Sequence, residues 1–162
     1  MTTPSLETDP IILREIESFT SVLRQNGVHA ALEFLNRRTP HRYTGIYRFD
    51  ADVLRNEALF DRYQPTPQQA GPVPMAVTYC SLVGQRQQPL EIQDASTDAD
   101  IQGLIDTPVV SYCGVLIRDA EGQPYGTLCH YDMQRCQERT TDLPLLEAAA
   151  AQLYRYIRPA NL

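Results

Sequence analysis

The feature that most constrains the fold is a hairpin pattern over residues 109–132. Two runs rich in β-branched and aromatic residues, 109–117 and 125–131, flank a polar segment that contains Gly122 and Pro124. This order predicts two antiparallel strands joined by a loop of more than two residues. The first run is almost wholly apolar, which predicts a central strand covered on both faces.

Two glycines interrupt these strands. Gly114 and Gly126 lie where glycine normally weakens a sheet, so each predicts a bulge or a close approach to the backbone. A helix on one face with a small molecule on the other satisfies this pattern. A second layer of protein without any ligand satisfies it equally well.

The N-terminal part predicts two helices in succession. Pro10 is suited to a first helical turn, and the Asn26–Gly27 pair supplies a C-terminal stop. A second helix begins at Val28 and ends before Pro40. Four residues form the apolar stripe of the first helix: Ile12, Ile16, Phe19 and Leu23. This stripe can pack on the sheet of its own chain or against another copy.

The remaining chain alternates short strands with irregular segments. Period-two alternation and turn residues predict a first hairpin, and the density of proline after it predicts a crossing loop without regular structure. In chain order, the predictions are strands at 41–50 and 53–63, a loop at 64–74, a short helix at 75–85, a strand at 90–93 and a loosely helical segment at 94–108 anchored by Ile101, Leu104 and Ile105.

A final helix is predicted from about 142 to 157. Leu146, Ala149, Ala150, Leu153 and Ile157 form its apolar face, Thr141 or Asp142 caps it, and Pro159 ends it. Helices at both ends of a mainly antiparallel sheet predict an α+β domain.

Composition restricts the class of protein. The 162 residues suit one domain, with residues 1–9 as a flexible lead and 10–162 as the folded unit. A net charge of −6 without a Lys/Arg cluster argues against nucleic-acid binding. No apolar run reaches the length of a membrane span, and no secretory signal pattern is present, so we expect a cytoplasmic protein.

The cysteines give no metal-site pattern. Cys80, Cys113, Cys129 and Cys136 are spaced too widely for a Cys-x-x-Cys pair, so we expect no bound metal. In a cytosolic setting we expect reduced thiols that pack as small hydrophobes.

The hairpin also resembles a known family. Ser-Tyr-Cys-Gly-Val-Leu-Ile-Arg-Asp at 111–119, Gly-Thr-Leu-Cys-His-Tyr-Asp at 126–132 and Thr-Tyr-Cys at 78–80 are similar to segments of GAF domains, small sensory modules of bacterial signalling proteins. The resemblance implies a profilin-like central antiparallel sheet with terminal helices on one face. On the other face, residues 64–108 would form a cover of loops and short helices over a pocket.

The resemblance brings ten polar or polarizable residues near that pocket. They are Tyr79, Cys80, Ser81, Asp94, Asp98, Ser111, Tyr112, Cys113, His130 and Tyr131. Strand alternation separates Tyr112 from its two neighbours and His130 from Tyr131, so they cannot all line one cavity. The sequence does not decide which set faces the pocket.

Three functions remain open from the sequence. The first is a stand-alone sensory domain that binds an unidentified small molecule and acts, without catalysis, through a signalling partner or through homodimerisation by the terminal helices. The second is a thiol-dependent redox enzyme of the free methionine sulfoxide reductase type, using Cys80 or Cys113. The third is an interaction domain without a ligand.

The sequence gives no motif for chromophore attachment, for a hydrolytic triad or for phosphate binding. A Cys-His pair attaches bilins in photoreceptor relatives, but here Cys129 and His130 lie on the last predicted strand, which argues against a covalent chromophore. No Ser-His-Asp arrangement and no phosphate-binding glycine loop can be argued. The sequence names no cofactor.

Overall fold

A computed structural model describes residues 10–137 and 143–157. The helices are α1 (Pro10–Asn26), α2 (Val28–Asn36), α3 (Tyr79–Arg86) and α4 (Leu143–Ile157), with a short 3₁₀ turn at Met75–Val77. The strands are β1 (Tyr43–Asp50), β2 (Val53–Asp61), β3 (Gln64–Gln68), β4 (Val73–Pro74), β5 (Leu90–Ile92), β6 (Ser111–Arg118) and β7 (Pro124–Asp132).

All seven strands belong to one antiparallel sheet. Its order is β3-β2-β1-β7-β6-β5, and β4 pairs separately with β2. The predicted C-terminal hairpin is confirmed as β6 and β7, both internal to the sheet. Residues on β6 are buried on both faces, as the apolar run predicts.

One face of the sheet packs against α1, α2 and α4. Its core includes Phe19 and Leu23 of α1, Ile46 of β1, and Cys113 and Val115 of β6. The stripe of α1 therefore serves the core of its own chain. The predicted apolar face of the last helix is also directed inward, since Leu146, Ala149, Ala150 and Leu153 are buried.

The opposite face is covered by α3 and the irregular segments around it. Tyr47, Tyr112 and Cys129 on the sheet pack against Tyr79 and Val83 of α3 in a second apolar cluster. The fold is thus α+β with two unlike layers on the sheet, one of regular helices and one mainly of short or irregular segments.

Both strand glycines allow the close approach that the sequence predicts. The position of a Cβ on Gly114 is occupied by the ring of Tyr112. A Cβ on Gly126 would overlap the carbonyl oxygen of Tyr47 on the neighbouring strand β1. Each glycine therefore makes room for a tyrosine, one through its side chain and one through its backbone.

The structure corrects several predictions about the cover. The segment predicted as a loop at 64–74 contains β3 and β4, because proline is tolerated on sheet edges, where its missing N–H is not needed. The short helix predicted at 75–85 is present for most of its length as α3, although a 3₁₀ turn and a break at Thr78 precede it. The segment predicted as loosely helical, 94–108, forms isolated turns. Leu104, predicted as an anchor, is 56% exposed, whereas Ile101 is buried.

Some predictions fall outside the described residues. They concern the flexible lead at 1–9, the caps Thr141 and Asp142, and the end of the last helix at Pro159. None of the four helices that the structure describes is both long and apolar enough to cross a membrane.

Candidate functional site

A cavity of about 270 Å³ lies between the sheet and its irregular cover. Its wall is mostly apolar and aromatic, with few polar groups, as is usual for small-molecule sites. The lining residues are Tyr47, Leu54, Ala70, Gly71, Val73, Val77, Thr78, Tyr79, Cys80, Asp106, Thr107, Pro108, Val109, Tyr112, Cys129, Tyr131 and Met133.

Four tyrosines surround this cavity in two tilted pairs. The rings of Tyr79 and Tyr112 are 5.6 Å apart with planes at 55°. The rings of Tyr47 and Tyr131 are 6.2 Å apart at 57°, and their hydroxyl oxygens are hydrogen-bonded at 2.6 Å. Burial raises the pKa of Tyr47, Tyr112 and Tyr131, so their hydroxyls stay protonated and neutral at physiological pH.

The sulfur of Cys80 is the acceptor of several hydrogen bonds in the wall. It accepts hydrogen bonds from Thr127 Oγ1 at 3.0 Å and Tyr112 Oη at 3.2 Å, and Cys129 also hydrogen-bonds to it. Burial alone would raise the pKa of Cys80, but the hydrogen bonds outweigh it and hold the pKa below its usual value. Burial and the nearby Cys80 raise the pKa of Cys129, so the two thiols differ in acidity.

The N-terminus of α3 fixes Cys80 in the wall. Thr78 is the N-cap, and its Oγ1 accepts a hydrogen bond from the backbone N–H of Ser81 at 3.2 Å. The Ser81 hydroxyl in turn donates to the Thr78 carbonyl at 2.6 Å. Cys80 is thereby held in the first turn of α3, where it faces Thr127 of β7.

The cover is tied to the sheet through Asn56 on β2. A bulge between Ile46 and Tyr47 leaves the Ile46 carbonyl to accept from Asn56 Nδ2 at 3.2 Å. Asn56 Oδ1 accepts from the Ala70 N–H at 2.9 Å, and Gln69 Nε2 donates to the Asn56 carbonyl at 2.9 Å. This buried amide therefore positions the segment that carries Ala70 and Gly71 into the cavity wall.

Of the ten residues predicted near a pocket, four line this cavity. They are Tyr79, Cys80, Tyr112 and Tyr131. Ser81 is buried beside them but bonds within its own helix turn. The cavity face of the sheet is thus the face that carries Tyr112 and Tyr131.

Three of the predicted residues lie on the helix face instead. Cys113 belongs to the core under the terminal helices. His130 is fully buried, bonds to Thr44 Oγ1 at 2.7 Å and stacks on His41. Ser111 donates to the Gln134 carbonyl at 2.7 Å beside a separate surface depression of about 310 Å³.

The two predicted aspartates lie outside the cavity wall. Asp94 accepts hydrogen bonds from the N–H and hydroxyl of Ser96 and so organises a turn after β5. These hydrogen bonds lower the pKa of Asp94. Asp98 is close enough to Tyr79 that its negative charge adds to burial in raising the pKa of that tyrosine.

Most residues that line the cavity were not among the sequence candidates, including Tyr47, Asp106 and Cys129, and Thr127 beside the wall was also missed. Cys129 and Thr127 alternate with His130 and share the face of Tyr131. Period-two spacing from Tyr131 would have found both, had the cavity face been known. Tyr47 needed the pairing of β1 with β7, which the sequence did not show.

The described residues offer no metal-binding cluster. No group of three His, Cys, Asp or Glu side chains lies together within 10–137 and 143–157. Chemistry in the cavity therefore depends on the Cys80 thiol, the tyrosine rings and hydroxyls, and the carboxylate of Asp106.

An antiparallel sheet with terminal helices on one face and an irregular cover over a cavity on the other defines a class of small α+β domains. The sequence model of the GAF domain matches residues 11–157, nearly the whole chain. The chain belongs to the GAF domain family. No curated protein sequence matches it.

Solved structures similar to the chain include both sensory and enzymatic proteins. The GAF domain of an Acinetobacter phosphoenolpyruvate-protein phosphotransferase is 16% identical, with a TM-score of 0.68, over 93% of this chain and 94% of that one. A putative GAF sensor from Burkholderia vietnamiensis is 14% identical, with a TM-score of 0.66, over 90% and 92%. The free methionine-R-sulfoxide reductase of Neisseria meningitidis is 16% identical, with a TM-score of 0.64, over 97% and 96%. At such identities these likenesses show the shared fold alone.

Proposed function

We propose that the protein is a sensory or regulatory GAF domain that binds a small molecule in the tyrosine-walled cavity, without catalysis. The observation that carries the proposal is the cavity itself, about 270 Å³ in volume, with an apolar wall and a few convergent polar groups. Because its wall includes residues from both the sheet and the cover, an occupant would hold the two layers together and change how the cover moves.

A thermal-shift screen tests this proposal. The panel contains amino acids, nucleotides, cyclic nucleotides, and small aromatic alcohols, acids and amines. A ligand at 100 times its dissociation constant stabilises the folded state by about 2.7 kcal/mol, which is roughly 5 to 11 °C for a domain of this size. Ala70→Trp should fill the cavity and abolish the shift, whereas Ala120→Trp in the exposed β6–β7 loop should preserve it. The absence of a shift with every compound would contradict ligand binding and favour the interaction-only function.

A thiol-dependent reductase is the second candidate, because of the hydrogen bonds to Cys80. A thiolate supported by Thr127 and Tyr112 can attack a sulfoxide sulfur, and Cys129 lies beside it to complete a disulfide as the sulfoxide oxygen leaves as water. Cys113 faces the other side of the sheet and offers a matched control. Turnover of free methionine sulfoxide with dithiothreitol, lost in Cys80→Ser and kept in Cys113→Ser, would favour the enzyme and contradict the non-catalytic proposal.

We also propose that the signal leaves the domain through a partner protein or a second copy docked on the terminal helices. The stripe of α1 is used internally, but Ile11 is 68% exposed and Leu13 is 43% exposed on the same helix, and Tyr156 of α4 is 38% exposed. Sedimentation of the wild type and Leu13→Glu tests the dimer. A dimer that becomes monomeric in the variant supports it, and a wild-type monomer with and without ligand leaves only the partner protein.

A further inference from the structure

The charge of the cavity wall restricts what can occupy it. Asp106 is the one charged residue among the described residues that line the cavity, and Lys, Arg and His are absent from that set. An anion placed here would lose its hydration without gaining a cationic side chain as a partner, and only the N-terminus of α3 would offset part of that cost. A cation also loses hydration, but the Asp106 carboxylate and the tyrosine rings offset this loss, and a neutral occupant has no such cost.

The four tyrosine rings of the wall are not parallel to one another within their pairs. Within each pair the planes are tilted by more than 50°, and the ring centres are 5.6 and 6.2 Å apart. A cation within about 6 Å of the centre of a tyrosine ring is attracted by the negative face of that ring, and rings inclined to one another can present such faces from more than one direction. Apolar ligand groups also pack well on such rings.

The hydroxyls of the wall have acceptor capacity left over. The Tyr112 hydroxyl donates its proton to Cys80, and one of the Tyr47 and Tyr131 hydroxyls donates to the other. A phenol has one proton and two lone pairs, so these oxygens mainly offer lone pairs to an occupant. The group that matches them is an N–H donor, and an ammonium supplies three.

Charged side chains outside the cavity wall also favour a cationic occupant. Asp98 approaches Tyr79 from outside the cavity. The guanidinium of Arg42 lies over Tyr43, whose ring stacks on Tyr131, but its charge is paired with the Asp61 carboxylate at 2.8 and 3.0 Å. The net charge of −6 favours the approach of cations over anions.

We propose that the cavity selects a small organic cation, an amine with an apolar or aromatic body, whose ammonium is held among the tyrosine rings near Asp106. This inference rests on the proposed function and specifies the ligand class for the same cavity. Nucleotides and simple carboxylates should therefore bind more weakly than an amine with the same apolar body.

Isothermal titration of the full chain with three matched probes tests the selectivity. Phenethylamine, phenethyl alcohol and hydrocinnamate share one aromatic body and differ mainly in charge. We expect the amine to bind about tenfold more tightly than the alcohol, which corresponds to a cation–π contribution plus a partly exposed ion pair. Hydrocinnamate should show no measurable binding.

Two pairs of variants test which residues produce the preference for the amine over the alcohol. Asp106→Asn should reduce the affinity ratio of amine to alcohol about two- to fivefold, whereas Glu121→Gln in the exposed β6–β7 loop should leave both affinities unchanged. Tyr79→Phe should keep the preference because it keeps the ring. Tyr79→Leu should reduce it, and its circular dichroism and melting curve verify that it folds.

Each outcome separates the inference from the proposed function. Alcohol binding equal to amine binding, or tighter binding of hydrocinnamate, overturns the selectivity while the cavity remains a ligand site. If none of the three probes binds but another class in the thermal-shift panel does, the amine is the wrong class. If nothing in the panel binds, the ligand-binding function itself fails.

Discussion

At the scale of single residues, the cavity depends on side chains that bond to one another across the layers. Cys80 of α3 is joined to Tyr112 of β6 and Thr127 of β7 by hydrogen bonds of 3.2 and 3.0 Å. Such bonds favour the thiolate over the thiol and so make this cysteine more acidic than its burial implies. Cys113, one residue from Tyr112 along the chain, is buried in the helix-side core.

The first prediction concerns the reactivity of these two cysteines. Iodoacetamide should modify Cys80 through the cavity much faster than Cys113, measured by peptide mass spectrometry of the folded protein. Tyr112→Phe removes one hydrogen bond to the sulfur, so the pKa of Cys80 should rise and the rate profile should move to higher pH. Equal labelling of both cysteines, or an unchanged profile in Tyr112→Phe, would contradict the geometry.

The second prediction concerns Gly126. A methyl group there would overlap the Tyr47 carbonyl, and since both groups belong to paired strands neither can move away easily. Gly126→Ala should reduce the free energy of unfolding by about 3 kcal/mol, measured by urea denaturation. Gly71→Ala, where the added methyl group meets open space, should change it by less than about 1 kcal/mol. Similar losses in both variants would indicate a general effect of replacing glycine.

At the scale of elements, the sequence predicts regular structure well and the cover poorly. The hairpin β6–β7 and the helices α1 and α2 follow from periodicity and end signals that act locally. The edge strand β3 was missed because its prolines argue against a strand, while its pairing with β2 depends on a distant partner. Pairing between distant strands also brings Tyr47 next to Tyr131 in the cavity. Neither the β2–β3 pairing nor the Tyr47–Tyr131 contact could therefore be found from local sequence patterns.

The third prediction concerns the attachment of the cover. Asn56 is buried and bonds to the backbone of both the bulge and Ala70, so Asn56→Ala leaves buried polar groups without partners. We expect a loss of about 2 to 3 kcal/mol in the free energy of unfolding and faster amide hydrogen exchange in residues 69–71. Asn26→Ala at the exposed end of α1 is the control and should change stability by less than about 0.5 kcal/mol. Unchanged exchange in Asn56→Ala would show that the cover is held by other contacts.

The fourth prediction concerns acid stability. Arg42 bonds to both carboxylate oxygens of Asp61 and lowers its pKa, joining the start of β1 to the end of β2. A carboxyl whose folded pKa is below its unfolded value stabilises the protein above the unfolded value of about 3.9. That contribution is lost as the pH falls through the folded pKa.

Stability measured from pH 6 down to pH 3 should therefore fall less steeply in Asp61→Asn than in the wild type. Asp50→Asn serves as a comparison, because Asp50 is also paired with arginine but is exposed, and solvent screens its interaction. A slope unchanged by Asp61→Asn would mean that this ion pair does not contribute to acid denaturation.

At the scale of the whole molecule, one sheet separates a face covered by regular helices from a face covered mainly by short and irregular segments. Terminal helices form a dense core on one face, and the cover on the other face leaves a cavity of about 270 Å³. The resemblance to GAF domains implies this division and brings four of the cavity residues near the pocket. The sequence does not predict which face of each strand meets the cover, because alternation is the same for either choice.

The proposed function requires the tyrosine-walled cavity to be the ligand site. The most direct measurement is an amide NMR titration of the full chain with phenethylamine, followed residue by residue. Saturable shifts are expected at Tyr47, Tyr79, Thr107 and Tyr131, with Cys113 and Ala149 on the helix face unchanged. Shifts confined to the helix face, or no saturable shift with any compound that stabilises the protein, would contradict the proposed function.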